Sequence, residues 1–217
     1  LVYSFTMPIW ESYDETGHYA YARYIAIMHA LPPLGAQLAP YDESHQPPLY
    51  YLIVASVISG IDTSDNLQPR MTVYGTKIGV VPDERIDSFP YRGTALAIRV
   101  GRLVSIALGT LCVAITFLIV RTALPNRAGI AVLAAAIHAM WPLFLALNGA
   151  ITNDVGIALL GSMTLWISIR LWEKPPDRSR WIDYVALMLC LTGATLTTDI
   201  VSSSPRPRYS TMSRSVP

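Results

Sequence analysis

The sequence predicts an all-α membrane protein, a polytopic helical bundle with an extracytoplasmic loop that carries juxtamembrane helices. Of the 217 residues, 52% are hydrophobic and only 14% are charged, whereas soluble domains average about 25% charged residues. The mean hydropathy is +0.38. Four mostly apolar stretches contain no Asp, Glu, Lys or Arg. This composition excludes a disordered chain and disfavours an ordinary soluble domain.

The four apolar stretches form the predicted transmembrane bundle of residues 93–200. They comprise residues 103–120, 128–153, 155–169 and 184–198. The last two reach spanning length only with flanking residues, among them Trp172 and Trp181, whose side chains suit a membrane interface. Because helices of soluble cores are rarely apolar on every face, we interpret all four stretches as membrane spans.

The distribution of charge predicts which loops lie on which side of the membrane. Residues 1–92 contain 5 basic and 10 acidic residues, and residues 93–217 contain 11 basic and 5 acidic residues. The first two spans are joined by a loop with Arg121 and Arg127, and the last two by a loop that is also basic. The positive-inside rule places both basic loops in the cytoplasm, so the acidic segment 11–92 is predicted to be extracytoplasmic.

Four segments are predicted in chain order. Residues 1–10 are apolar but too few to cross a bilayer, so we interpret them as the end of an incomplete transmembrane span. Residues 11–92 form the extracytoplasmic loop and residues 93–200 the bundle. Residues 201–217, rich in Ser, Pro and Arg, are predicted to be a disordered tail, and their abrupt onset raises the hypothesis of truncation or a shifted reading frame.

The extracytoplasmic loop itself contains two predicted helices. Residues 17–31 are rich in Tyr and Ile and end before two prolines, a typical helix stop. Residues 49–59 are apolar but short for a span, so we expect a helix that lies in the membrane interface. Residues 61–92 carry turn residues and scattered charges and are predicted to be an irregular loop.

The first chemical motif is Asp14-Glu15-Thr16-Gly17-His18, which follows the first apolar segment. Adjacent carboxylates beside a membrane raise the free energy of the folded chain unless they are solvated or serve a function. Asp14 and His18 are four residues apart, so a helix would place them on one face. A carboxylate with an imidazole can act as a general base or bind a divalent metal. The alternative is an acidic helix N-terminus that is stabilised by the helix dipole.

Two further motifs combine polar residues with span ends. His45-Gln46-Pro47-Pro48-Leu49-Tyr50-Tyr51 precedes a helix start, where a phosphate could bind, or where Tyr50 and Tyr51 could anchor the chain in the headgroup region. Asn153 and Asp154 begin the third span, either as a helix cap or as a second acid that converges with Asp14 outside the membrane.

Arg99 and Arg102 open the first complete span from its outer side. Their guanidinium groups suit a lipid phosphate, although snorkelling towards the interface is the alternative explanation.

In this order, the motifs resemble those of the GT-C membrane glycosyltransferases, particularly the protein O-mannosyltransferase and aminoarabinose transferase group. The resemblance covers roughly residues 5–198 and includes Tyr13-Asp14-Glu15-Thr-Gly-His18, the His45 motif, Arg102-Leu-Val-Ser105 and Thr152-Asn153-Asp154. It identifies the chain as an N-terminal fragment of such an enzyme, with a partial GT-C-like bundle. Members transfer a hexose or pentose from a polyprenyl-phosphate carrier to an acceptor protein, lipid or glycan on the outer face.

The resemblance also implies roles for individual residues. Asp14, Glu15 and Asp154 correspond to the catalytic acids. The substrate-binding candidates are His18, His45, Tyr50, Arg99, Arg102 and Asn153. No cofactor is required, and a divalent metal remains an open alternative. The implied partners are the lipid-linked sugar, the bilayer and the acceptor, without nucleic acid, and the implied location is a bacterial plasma membrane. The alternative function is a non-catalytic membrane subunit that acts through its outer loop.

Overall fold

A computed structural model of the chain is largely helical. It describes residues 2–12, 14–39, 43–65, 67, 69–74, 77–81, 87–173 and 181–195. In chain order the elements are α1 (Val2–Thr6), α2 (Glu15–Met28), α3 (Leu49–Ile58), β1 (Arg70–Tyr74), β2 (Lys77–Val81), α4 (Gly93–Ala123), α5 (Ala128–Ala139), α6 (Pro142–Asn148), α7 (Asp154–Glu173) and α8 (Trp181–Thr195). The all-α fold class is confirmed, while the predicted tail of residues 201–217 lies outside the described residues.

Two helices are long and apolar enough to cross a membrane, Gly93–Ala123 and Asp154–Trp172. The helix pair α5 and α6 meets the same requirement only when taken together, and it is bent by 62°. Helix α8 is apolar but has only 15 residues. The described residues therefore contain two spans, or three if the bent pair counts as one. The count of four spans stays a prediction.

The bend corrects the prediction that residues 128–153 form one uninterrupted helical stretch. Helix α5 ends at Ala139, and α6 begins with Pro142 at its first position. Proline has no backbone N–H to donate and its ring clashes with the preceding turn, so a helix rarely continues through it. The apolar composition concealed this break, because composition does not report backbone geometry.

The loop before the bundle folds largely as expected. Helices α2 and α3 correspond to the predicted helices 17–31 and 49–59, and both pack through buried side chains, including Tyr21, Tyr51 and Val54. The expectation of an irregular loop over 61–92 is wrong in part, because β1 and β2 form an antiparallel hairpin in which Arg70 pairs with Val81. Both strands contain Val, Ile or Thr, which are common in strands.

Helices α4 and α7 run parallel in the bundle. Side-chain contacts join Cys112 to Ser162 and Thr122 to Trp166, so both helices begin at the same end of the bundle. Asp154 therefore lies at the same end of the bundle as the loop of residues 11–92, and the loop with Arg121 lies at the opposite end. The predicted site residues are gathered at one end.

Helix α4 is capped from the loop rather than by its own N-cap residue. The Asp65 carboxylate accepts hydrogen bonds from the Thr94 backbone N–H at 3.0 Å and from the Thr94 hydroxyl at 2.6 Å. Gly93 has a φ of +55°, and a Cβ there would lie 2.2 Å from an Asp65 oxygen. Glycine is needed at this position for both reasons.

We expect Asp65→Ala to lower the free energy of unfolding by about 1 kcal/mol, the usual cost of removing a helix cap. Thermal unfolding of the detergent-solubilised protein, followed by circular dichroism, measures the change. The control is Asp62→Ala, which removes an exposed acid from the neighbouring turn. Equal stabilities of the two variants would contradict the capping role.

Candidate active site

The two adjacent acids of the first motif have different environments. Asp14 is the residue before α2, with a left-handed φ of 56°, and its side chain makes no capping hydrogen bond. Aspartate tolerates this conformation better than most residues. Asp14 is partly exposed, whereas Glu15, the first residue of the helix, is completely buried.

The buried Glu15 carboxylate is held in a bidentate ion pair with Arg102. The Arg102 Nε and Nη2 atoms each lie 2.7 Å from a Glu15 oxygen. The backbone N–H groups of Trp10 and Ile151 also donate to this carboxylate, both at 3.1 Å. Charge-assisted bidentate pairs of this kind are strong and geometrically specific. The predicted catalytic role of Glu15 is therefore corrected, because its oxygens are occupied by structural contacts.

Arg102 is also committed to structure. Beyond Glu15, its guanidinium donates to the carbonyl oxygens of Ser4, Met7 and Pro8 at 3.0, 2.7 and 2.9 Å, and the side chain is fully buried. All five guanidinium N–H groups have acceptors. The predicted phosphate-binding role of Arg102 is wrong in this structure, because the guanidinium is enclosed and satisfied.

Arg99 is also enclosed by structural contacts. Its Nη2 lies 2.6 Å from Asp87, it donates to the Ser4 carbonyl, and its guanidinium carbon is 5.0 Å from the centre of the Tyr91 ring. Only 6% of Arg99 is exposed. The two arginines of α4 therefore tie the first segment and the outer loop to the bundle, and the predicted phosphate contact is corrected for Arg99 too.

Asp14 lies in a cluster that also contains His18 and Glu43. One ligand-type atom from each side chain lies within 4.8 Å of the other two. Burial, together with the smaller effects of the nearby carboxylates of Glu43 and Asp154, raises the pKa of Asp14 to about 6. Desolvation and like charges both favour the protonated acid. This influence of Asp154 means that the acids of the first loop and of α7 come near each other.

His18 is buried and neutral at physiological pH. Burial lowers its pKa to about 4, and the nearby His45 acts in the same direction. The His18 Nδ1 atom lies 2.7 Å from the Tyr51 hydroxyl. Tyr51 stacks on Tyr21 with ring centres 4.0 Å apart. The contact with Tyr51 engages one ring nitrogen and orients the imidazole.

Gln46 links the His45 motif to α7. Its side-chain N–H group donates to Glu43 at 2.9 Å, and its side-chain oxygen accepts from Asn153 at 2.7 Å. The Tyr21 hydroxyl donates to the Gln46 carbonyl at 3.1 Å. Glu43 is thereby held in place beside Asp14. Asn153 is 4% exposed, so it supports the cluster from behind rather than meeting a large ligand directly.

The remaining candidates separate into exposed and buried groups. His45 and Asp154 are both exposed beside the cluster. Tyr50 is fully buried, with its hydroxyl 2.7 Å from Ser105 and 3.1 Å from the Thr152 N–H. The predicted substrate contact of Tyr50 is corrected, because its hydroxyl joins α3 to Ser105 within α4 and to Thr152 just before α7.

Two residues of the cluster were missed by sequence reasoning, Glu43 and Gln46. Glu43 stands two residues before His45 in a short polar segment, and no spacing rule connects it to Asp14. Gln46 lies within the quoted motif, but a glutamine before two prolines has no distinctive chemistry. Only the packing of α3 against α2 brings them together.

The segment that begins with α4 matches a known protein family. Residues 94–200 match the family of the dolichyl-phosphate-mannose-protein mannosyltransferases. The predicted resemblance to GT-C membrane glycosyltransferases is thereby confirmed. The match covers just under half of the chain, 107 of 217 residues. No curated protein and no solved structure matches the chain.

The family match of residues 94–200 and the apolar helices indicate an integral membrane protein, and the matched segment is similar to glycosyltransferases of the GT-C type. Arg99, Arg102, Asn153 and Asp154 all lie within the matched segment. The residues before it, including Asp14 and Glu43, are joined to the matched segment by the Glu15–Arg102 and Gln46–Asn153 contacts. The candidate site is thus assembled from both halves of the chain.

Proposed function

We propose that the chain transfers a sugar from a polyprenyl-phosphate carrier to a hydroxyl acceptor on the extracytoplasmic face. The observation that carries the proposal is the cluster of Asp14, His18 and Glu43, with Asp154 close enough to act on Asp14, at the end of the bundle that carries the loop of residues 11–92. A glycosyl phosphate already has a good leaving group. The main requirements are therefore removal of the acceptor proton and stabilisation of charge.

Asp14 is the proposed general base. Its pKa of about 6 lies close to neutral pH, where a base is both sufficiently deprotonated and sufficiently strong. Burial is the main cause of this raised pKa, and the negative charges of Glu43 and Asp154 add to it. His45, which is exposed beside the cluster, is the proposed partner of the departing phosphate, because Arg99 and Arg102 are enclosed.

The decisive experiment reconstitutes the full chain in proteoliposomes with polyprenyl-phosphate mannose and a hydroxyl-bearing peptide or glycan acceptor. Saturable transfer that depends on Asp14 supports the proposal. A chain that folds, shows no transfer and instead forms a stable membrane complex that tolerates Asp14→Asn would support the non-catalytic subunit.

The rate of transfer should rise with pH. Because deprotonated Asp14 is the active form and its pKa is about 6, we expect kcat/KM to increase about tenfold between about pH 5 and about pH 7. The profile is measured with EDTA present, so that proton competition with a metal does not contribute.

Glu43→Gln is the matched variant for this pH profile. Glu43 raises the pKa of Asp14, so its neutralisation should move the midpoint to lower pH. The variant would then retain a larger share of its maximal rate at about pH 5 than the wild type. A midpoint that stays in place would contradict the coupling between the two acids.

We also propose that Asp14, His18 and Glu43 can hold a divalent cation, because a mixed carboxylate and imidazole set suits Mn²⁺. Calorimetric titration of the purified chain with MnCl₂ should detect one site that Glu43→Gln weakens by at least tenfold. Asp62→Asn, a substitution of an exposed acid in a turn, should leave binding unchanged. Equal Mn²⁺ binding by Glu43→Gln and Asp62→Asn would contradict a metal site at this cluster.

A further inference from the structure

A cavity lies on the opposite side of α2 from the Asp14 cluster. Its volume is about 280 Å³, and its lining includes Trp10, Thr16, Tyr19, Arg23, Tyr24 and Thr94. Thr16, Tyr19, Arg23 and Ile27 recur at helical spacing and so share one face of α2. His18 falls on the other face. The width of a helix, about 10 Å, therefore separates the two sites.

Two buried hydroxyl groups in this cavity make no hydrogen bond of normal geometry within the part of the chain that the structure describes, although the hydroxyls of Thr94 and Thr63 lie near one of them. The two groups are the Thr16 Oγ1 and the Tyr19 hydroxyl, on side chains that are 6% and 3% exposed. Burial raises the pKa of Tyr19, which keeps its phenol a neutral donor. Buried hydroxyls are nearly always hydrogen-bonded in folded proteins. Two orphaned hydroxyls in one cavity therefore point to a ligand that completes them.

The other walls define the chemistry of that ligand. Trp10 and Tyr19 pack edge to face with ring centres 5.4 Å apart, and Ile27, Met28 and Leu38 add aliphatic surface. The charged lining residue Arg23 donates to the hydroxyl and carbonyl of Thr63 at 3.1 and 2.9 Å. No carboxylate is among the described residues that line the cavity, although that of Asp65 accepts a hydrogen bond from the lining residue Thr94. Aromatic walls with a few hydroxyls suit a compact neutral ligand that is itself rich in hydroxyls.

We propose that this cavity is a binding site for one neutral saccharide unit, separate from the site of transfer. A sugar ring presents an apolar C–H surface bordered by hydroxyls, which matches the aromatic rings and the two unpaired hydroxyls. The volume is near the lower limit of about 300 Å³ for small-molecule sites, so a single ring is the appropriate size. The choice of a mannoside as probe rests on the proposed function.

The test measures binding of methyl α-D-mannopyranoside to the purified full chain by saturation-transfer NMR. Thr16→Val and Tyr19→Phe each remove one hydroxyl while keeping the side-chain shape. We expect each to weaken binding about three- to tenfold, as for the loss of one hydrogen bond. The control is Thr110→Val, which removes a hydroxyl that bonds within α4 and lies outside the cavity.

A second measurement separates ligand binding from a structural role. Replacing an unsatisfied buried hydroxyl with an apolar group is neutral or stabilising. Without mannoside, Thr16→Val and Tyr19→Phe should therefore unfold at or above the wild-type temperature. Lower unfolding temperatures, binding that all three variants retain, or binding of inorganic phosphate in competition with the mannoside would each overturn the proposal.

The outcomes also distinguish this site from the proposed function. Asp14→Asn should keep mannoside binding while it loses transfer. Saturable binding without any transfer by the wild type would leave the cavity assignment intact and remove the proposed function. Asp14-dependent transfer without mannoside binding would do the reverse.

Discussion

Asp14→Asn should lower the rate of sugar transfer by roughly 10²- to 10⁴-fold, the usual contribution of a general base. The amide of asparagine has nearly the same shape as the carboxylic acid, but it cannot take up the proton of the acceptor's hydroxyl group. Steady-state transfer from polyprenyl-phosphate mannose measures the effect. A proton-transfer role predicts that kcat falls while KM changes little.

The fold should survive this substitution. Asp14 has a left-handed φ of 56°, which asparagine also tolerates. Removal of the charge also relieves repulsion from Glu43 and Asp154. We therefore expect unchanged or slightly higher thermal stability at neutral pH. The matched control is Asp62→Asn, which should transfer normally. A well-folded Asp14→Asn variant with the wild-type kcat would contradict the assignment of Asp14 as the general base.

Arg102→Met should lower the free energy of unfolding by about 3–5 kcal/mol, the cost of leaving one partner of a buried ion pair uncompensated. Both side chains of the Arg102–Glu15 pair are fully buried, and their nearest charged atoms are 2.7 Å apart. Methionine retains much of the length of arginine but leaves the Glu15 carboxylate with only two backbone donors. Thermal unfolding in detergent, followed by circular dichroism, measures the loss.

Two further variants test the mechanism of that loss. Adding Glu15→Gln to Arg102→Met removes the stranded charge and should recover part of the stability. Recovery should be incomplete because Arg102 also satisfies the carbonyl oxygens of Ser4, Met7 and Pro8. Arg170→Met breaks a pair that is 3.5 Å apart and partly exposed, so about 1 kcal/mol or less is expected. Equal losses from Arg102→Met and Arg170→Met would contradict the argument.

The enclosure of Arg102 also has a consequence for the candidate site. Helix α2 begins at Glu15, one residue after Asp14. The Glu15–Arg102 pair therefore fixes the start of α2 against α4 and, through the Ile151 N–H, against the segment before α7. The position of Asp14 relative to Asp154 depends on this buried pair. Arg102→Met should accordingly reduce transfer as well as stability.

Much about this chain could be predicted from the sequence alone. In an apolar environment, a long stretch without charged residues must satisfy its backbone hydrogen bonds internally, as an α-helix does. The composition therefore indicated a helical membrane protein. Proline pairs and turn residues marked the ends of α2 and α3 closely. The order of short motifs indicated the GT-C family, which the match of residues 94–200 confirmed. These features depend on local composition and spacing.

The tertiary structure decided what each polar residue does. Asp14 and Glu15 are adjacent and chemically alike, yet one is partly exposed and the other is enclosed with Arg102. Glu43 and Gln46 join the candidate site only because α3 packs against α2. The break before Pro142 differs from these, because the proline that explains it stands in the sequence. The physical reason is that burial and pairing depend on contacts between residues distant in sequence, such as the Glu15–Arg102 pair.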